Sequence, residues 1–166
     1  FLWRVHKEVP AKGQIAIFNR SHYEDIIAVR VKKIFPDPVW KRRYKHVLDF
    51  ESMLAEEGTV IIKLFLNISK AEQKKRLESR LQDPDKLWKF CMDDLDDRNR
   101  WDEFQTAYQD LIEKTSTPEA PWYIIPADRK WYRNLVVARL MVEKLRHLQL
   151  SLPTPNFDPA SIIIPD

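Results

Sequence analysis

Three apolar runs separated by helical patterns limit what this chain can fold into. Gln14–Phe18, Thr59–Ile68 and Trp122–Pro126 are each followed by a polar cluster and then by a stretch with helical spacing. Strands alternating with helices predict an α/β fold with a parallel sheet. Thr59–Ile68 is long and almost wholly apolar, so it reads as the central strand. The first run is short, and Asn19, Arg20, Ser21, His22, Tyr23, Glu24 and Asp25 sit where its carboxyl end would lie. That end of an open α/β sheet is where ligands bind.

Helices are expected over Phe1–Val9, stopped by Pro10, and around Asp25–Lys33. Val39–Glu57 carries Trp40, Tyr44, Val47, Leu48 and Leu54 on one stripe and ends at Gly58. Lys41, Arg42, Arg43 and Lys45, balanced by Asp49, Glu51, Glu56 and Glu57, read as its solvated face. Ser69 and Glu72 form a capping box for a helix over Lys70–Leu81, broken by Asp83-Pro84-Asp85. Asp93 and Asp94 can cap the next helix, whose face holds Trp101, Phe104, Tyr108, Leu111 and Ile112. Lys130–Leu148 is the last helix. The expected organisation is one domain over residues 1–150, with a lid at about 81–100, and an extended Pro-rich tail over 151–166.

The chain's 166 residues suffice for one domain with a core. Its net charge of +3 assigns no polyanion partner, so any basic function must come from local clustering. The single cysteine, Cys91, excludes an internal disulfide and suits a reducing, cytoplasmic setting. No apolar run approaches the ~20 residues that span a bilayer, so no membrane partner is expected. Only two glycines occur, Gly13 and Gly58, too few for a phosphate-cradling glycine-rich loop.

Two clusters offer phosphate chemistry. Arg20 presents a planar fork suited to phosphate oxygens, and Glu24 with Asp25 offers the one or two carboxylates that Mg²⁺ prefers. Helix capping by Asn19 or Ser21, with acids in the first turn, accounts for the same residues equally well. Arg76 and Arg80 share a helix face, and Lys86 and Lys89 follow beside Trp88 and Phe90. A solvated face is the competing reading for this cluster. His22, the one histidine near the acidic pair, reads as packing or as a residue standing directly behind the acids. The aromatic residues at helical spacing read as core, so no nucleic-acid partner is expected.

FLWRVHKEVPAKGQIAIFNRSHYED, LAEEGTVIIKLFLNISKAEQKKRLESRLQDPDKLWKF, DLDDRNRWDEF and TSTPEAPWYIIPADRKWYRN together resemble the polyphosphate kinase 2 family. The resemblance covers nearly the whole chain before Leu150. It implies a P-loop kinase fold, a parallel sheet between helices with a lid. The implied activity is transfer of phosphoryl groups between inorganic polyphosphate and AMP, ADP or ATP, with Mg²⁺. It makes IFNRSHYED the Walker B region, Arg20 a phosphate-contacting arginine, and Glu24 and Asp25 the catalytic acids and metal ligands. Asn19 stands where many members have aspartate, which shifts the metal role to Asp25. Arg80 resembles a further active-site arginine, and Lys86 and Lys89 fall in the lid. The NRSHYED form is similar to the subgroup that phosphorylates both nucleoside monophosphates and diphosphates. The family's Walker A loop is expected upstream of Phe1, so the chain reads as a C-terminal portion of the domain, inactive by itself. Homo-oligomers are expected, as is common in the family. Two rivals stay open: a P-loop kinase using ATP as donor, and a non-catalytic module binding polyphosphate or nucleic acid.

Overall fold

The computed structural model describes residues 1–165. Its regular elements are α1 (Trp3–His6), α2 (Glu24–Val31), α3 (Asp37–Lys41), α4 (Arg43–Glu56), β1 (Lys63–Asn67), α5 (Lys70–Gln82), α6 (Asp93–Asn99), α7 (Trp101–Thr115), β2 (Trp122–Pro126) and α8 (Lys130–His147). A 3₁₀ helix covers Pro84–Lys89 and another Pro159–Ser161. The two strands pair in parallel, from Lys63 opposite Trp122 to Asn67 opposite Pro126. The α/β class and the parallel sheet match the sequence reading.

α2 explains where the core lies. Ile26, Ile27, Val29 and Val31 are all buried, so this short helix is apolar on most of its circumference and needs cover on several sides. α3, α4 and α7 supply it with Trp40, Tyr44, Val47, Ala107 and Leu111. Phe104 and Tyr108 pack against the same cluster, as the helical spacing predicts. Arg30 of α2 pairs with Asp110 of α7 at 2.6 Å beside this core.

Four expected elements differ. Gln14–Phe18 is not a strand: it has no ladder, and Ile15 and Ile17 lie exposed. Only two strands pair among the described residues, and an apolar run becomes a strand only where a neighbour completes its hydrogen bonds. The expected long strand Thr59–Ile68 shrinks to Lys63–Asn67 because β2 offers five partners and no more. The single helix over Val39–Glu57 is two, with a tightened turn at Arg42 (φ −68°, ψ −18°) between α3 and α4. The helix expected to begin at Asp93 or Asp94 and to carry Trp101–Ile112 is also two, α6 and α7, broken at Arg100 (φ −96°, ψ 23°), and Met92 rather than either aspartate holds the N-cap of α6, with no side chain accepting there. The other helices hold to within a few residues.

Local signals set the ends. Gly58 sits at φ +88°, and the Gly58 and Thr59 amides donate to the carbonyls of Ala55 and Leu54 at 3.0 and 2.9 Å. This is a Schellman closure. A Cβ at Gly58 would meet nothing within 4 Å, so the cost of Gly58→Ala is conformational alone. We expect about 1 kcal/mol of destabilisation from it, read by chemical denaturation. At α5 half of the capping box forms: the Glu72 amide donates to Ser69 Oγ at 3.1 Å. The Ser69 amide donates instead to Asp128 Oδ1 at 2.7 Å, which ties α5 to the loop after β2.

The expected lid residues are the 3₁₀ helix and α6. Arg98 donates to the Lys70 carbonyl and to Gln73 Oε1, both at 2.8 Å. Lys32 pairs with Asp97 at 2.8 Å and Arg100 donates to the Val31 carbonyl at 3.0 Å, so α6 is fastened to the end of α2. Beyond Gln149 the chain runs without regular structure to Pro159, exposing Leu150 and Leu152.

Candidate active site

Arg20 adopts φ +63°, a left-handed conformation at the turn into α2. Its guanidinium grips Glu24 by two bonds, Nε to Oε1 at 2.9 Å and Nη2 to Oε2 at 2.8 Å. The Glu24 carboxylate raises the Arg20 pKa above its ordinary value. Asp25 is held from elsewhere. Arg4 of α1 donates Nη2 to Oδ2 at 2.6 Å, and Arg43 of α4 donates to the Asp25 main-chain carbonyl. Arg43 is thus not a residue of the solvated face: its guanidinium packs over the rings of Phe1 and Phe35. Glu24 and Asp25 therefore meet different arginines, one from their own turn and one from α1.

Neither Asn19 nor Ser21 caps α2. The N-cap position belongs to Tyr23, and no side chain accepts there. The capping account of this cluster fails, although two acids in the first turn still complement the helix dipole. Asn19 is exposed beside Arg20.

Beneath the acidic pair lies a buried polar group that the sequence reading missed. The Tyr23 hydroxyl donates to Glu51 Oε1, and Lys63 Nζ donates to Glu51 Oε2 at 2.7 Å. Lys63 Nζ also donates to the Thr115 carbonyl, at 2.5 Å, where α7 ends. Glu51 and Lys63 are about 5% exposed, so Glu51 leaves the solvated face assigned to it. Burial pushes the Glu51 carboxyl up and the Lys63 ammonium down, and each partner pulls the other back toward its charged form. Burial, with Tyr23 beside Glu51, raises the Tyr23 phenol and keeps it protonated. A lysine inside an otherwise apolar strand, KLFLN, was the one signal that could have found this group.

His22 stacks on Tyr23 with centroids 4.5 Å apart, and neither ring nitrogen has a hydrogen-bond partner. Of the two roles open to it, the stacking and the unpartnered nitrogens favour packing. Burial, with Lys63 nearby, lowers its pKa to about 4. The folded state thus binds the His22 proton less readily than the unfolded chain, whose histidine titrates near 6.5. Stability contributed by neutral His22 is full above about pH 6.5 and declines as pH falls toward about 4. Glu51 acts in the opposite sense, its contribution declining as pH rises through its raised pKa. We expect His22→Phe to flatten the acid limb in denaturation curves taken from pH 7 to pH 4.

The second basic cluster does not gather at Asp25. Arg76 donates Nε to Glu72 at 2.8 Å and Nη2 to the carbonyls of Ala127 and Asp128 at 2.7 and 3.1 Å. It braces α5 against the loop after β2. Arg80 reaches the 3₁₀ helix and α6, donating to Asp94 Oδ2 at 3.3 Å and to the Lys89 carbonyl at 3.5 Å. Lys86 pairs with Asp83, and Lys89 lies over the Trp88 ring at 5.0 Å.

Among the described residues no three His, Cys, Asp or Glu side chains converge as a metal cage. Mg²⁺ asks for less, one or two carboxylates completed by water and substrate phosphate. Asp25 and Glu24 are the right donors, and each now holds a guanidinium that a metal would displace.

The family profile described as Polyphosphate kinase 2 matches residues 1–152. The chain belongs to the polyphosphate kinase 2 family. It is 54% identical over 164 residues to the AMP/ADP-polyphosphate phosphotransferase of Meiothermus ruber, covering 99% of this chain and 61% of that one. To the ADP-polyphosphate phosphotransferase of Rhodopseudomonas palustris it is 38% identical over 165 residues, covering 92% and 57%. The crystal structure of polyphosphate kinase 2 from Arthrobacter aurescens superposes with a TM-score of 0.92 at 48% identity, over 96% of this chain and 56% of that one. The chain thus spans about 60% of the length of the polyphosphate kinase 2 relatives it matches.

Proposed function

We propose that the protein transfers phosphoryl groups between inorganic polyphosphate and nucleotides, phosphorylating AMP or ADP or both. One observation carries this reading: a chain 54% identical to an AMP/ADP-polyphosphate phosphotransferase presents two acids at a helix start, each clasped by an arginine. Phosphoryl transfer depends mainly on positioning and charge stabilisation, and these are the groups that supply both.

Arg20 and Arg4 would turn from their carboxylates to phosphate oxygens as substrate arrives. Asp25, with Glu24, would then hold Mg²⁺, which supplies neutralisation of charge on the phosphate groups. Asp25 keeps its place because Arg43 holds its main-chain carbonyl. Arg80, Lys86 and Lys89 would add positive charge from the lid side, Asn19 would meet phosphate beside Arg20, and Arg76 would have to leave Glu72 to do so. The single cysteine supports a reducing, cytoplasmic setting. No helix among the described residues is long and apolar enough to cross a membrane. The exposed Trp131, Leu135 and Val142 on α8 support self-association into a homo-oligomer.

The test is an assay of a polypeptide of the relatives' full length carrying this sequence. With Mg²⁺ and polyphosphate it is expected to form ADP from AMP or ATP from ADP. Strong phosphorylation with ATP as donor, and none with polyphosphate, would overturn the proposal in favour of an ATP-dependent kinase.

A further inference from the structure

Residues 19–25 carry the acids, yet little of this segment is anchored in the protein. Arg20 is 79% exposed and spends its guanidinium on Glu24 within the same turn. α2 begins without a side-chain cap. His22 is buried but makes no hydrogen bond through its ring. Three polar ties reach other elements: Arg4 of α1, 74% exposed, to the Asp25 carboxylate; the part-buried Arg43 to the Asp25 carbonyl; and, alone in being fully buried, the Tyr23 hydroxyl to Glu51. Tyr23 immediately precedes Glu24 and is itself 5% exposed.

The Tyr23 tie ends on a carboxylate fixed from its other side. Lys63 holds Glu51 Oε2, and the same ammonium is fixed by the Thr115 carbonyl. Thr115 in turn accepts the Trp122 indole N–H on Oγ1 at 2.8 Å and donates that hydroxyl to the Leu111 carbonyl at 2.7 Å. The chain of bonds joins the start of α2 to α4, β1, the end of α7 and β2. A stability role alone does not explain such a pair, because apolar residues of similar volume commonly replace a buried ion pair without loss. A phenol that must find a fixed acceptor at one point in the core does explain it.

We propose that Glu51 and Lys63 are positioning residues: through the Tyr23 hydroxyl they set where Glu24 and Asp25 stand. The inference rests on the function proposed above for those acids, but the placement itself can be read without any turnover. A displacement of about 1 Å at reacting groups can cost about 10²-fold in rate, so the placement has kinetic consequences too.

Two variants in the full-length protein test it. Tyr23→Phe removes the hydroxyl and leaves the ion pair. Glu51→Leu combined with Lys63→Met removes the pair together and leaves no unpaired charge. The first readout is amide hydrogen exchange in peptides covering residues 19–27. In both variants we expect exchange there to quicken by about tenfold or more, the loss of one buried hydrogen bond to a charged acceptor, with α5 and α8 unchanged. The second readout is kinetic: kcat falls by about tenfold or more while KM for the nucleotide stays within about twofold. A folded variant of either kind with unaltered exchange over residues 19–27 overturns the proposal. Should the double variant fail to fold, Tyr23→Phe decides alone. If the unsubstituted protein shows no polyphosphate-dependent turnover, the functional reading fails while the exchange result still decides the positioning role.

Discussion

Asp25→Asn is expected to lower polyphosphate-dependent nucleotide phosphorylation by about 10²–10³-fold in the full-length protein, the range for loss of one preorganised electrostatic group. Asparagine keeps the size of the side chain and one acceptor oxygen but cannot bind Arg4 as an ion pair or offer a charged oxygen to Mg²⁺. The fold should hardly register the change. Arg4 is 74% exposed, and a solvent-facing ion pair is worth about 0–1 kcal/mol. The paired measurement is therefore kcat together with the melting temperature. A large loss of rate at an unchanged melting temperature assigns Asp25 to the reaction. A rate within about threefold of the parent would remove Asp25 from the proposed site.

Lys63→Met is expected to have the reverse signature, with stability lost first. It strips one partner from a buried pair and leaves Glu51 with the Tyr23 hydroxyl and with His22, whose Nε2 lies 4.0 Å from Oε1. Breaking a buried ion pair in this way costs about 3–5 kcal/mol. For a chain of this size that lowers the melting temperature by about 10 °C or more. Adding Glu51→Leu should recover most of the loss, because the stranded carboxylate goes with it. Thermal denaturation of the single and double variants side by side checks both statements. A single variant as stable as the parent would mean that the pair contributes nothing to holding α4 against β1.

The sequence made some parts of this protein legible because their causes are local. The helix over Lys70–Gln82 declares itself through Ser69 and Glu72, and Gly58 closes α4 with a backbone angle that few other residues accept. Trp122–Pro126 is recovered as a strand because an apolar run bounded by Pro121 and Pro126 fits little else. Gln14–Phe18 looks the same by composition and fails, since a strand is a relation between two segments and composition describes one. The site divides along the same line. Arg20 and Glu24 lie a helical turn apart, so their pairing is readable. Arg4 reaches Asp25 across 21 residues, and Lys63 reaches Thr115 across 52, distances at which no periodicity speaks. Glu51 was hidden for a further reason: its neighbours Asp49 and Glu56 are exposed, and its own burial depends on a tyrosine and a lysine brought in by folding.

The pairing of each acid with a guanidinium bears on how a polyanion reaches the loop at all. Two bare carboxylates at the mouth of the site would repel a polyphosphate chain over about 8 Å at physiological ionic strength. Masked by Arg20 and Arg4, they present a nearly neutral face instead. On the function proposed above, an incoming chain would trade one anion for another on the same two guanidiniums, so the encounter would need no strong attractive field. The rate of that encounter should then depend only weakly on salt.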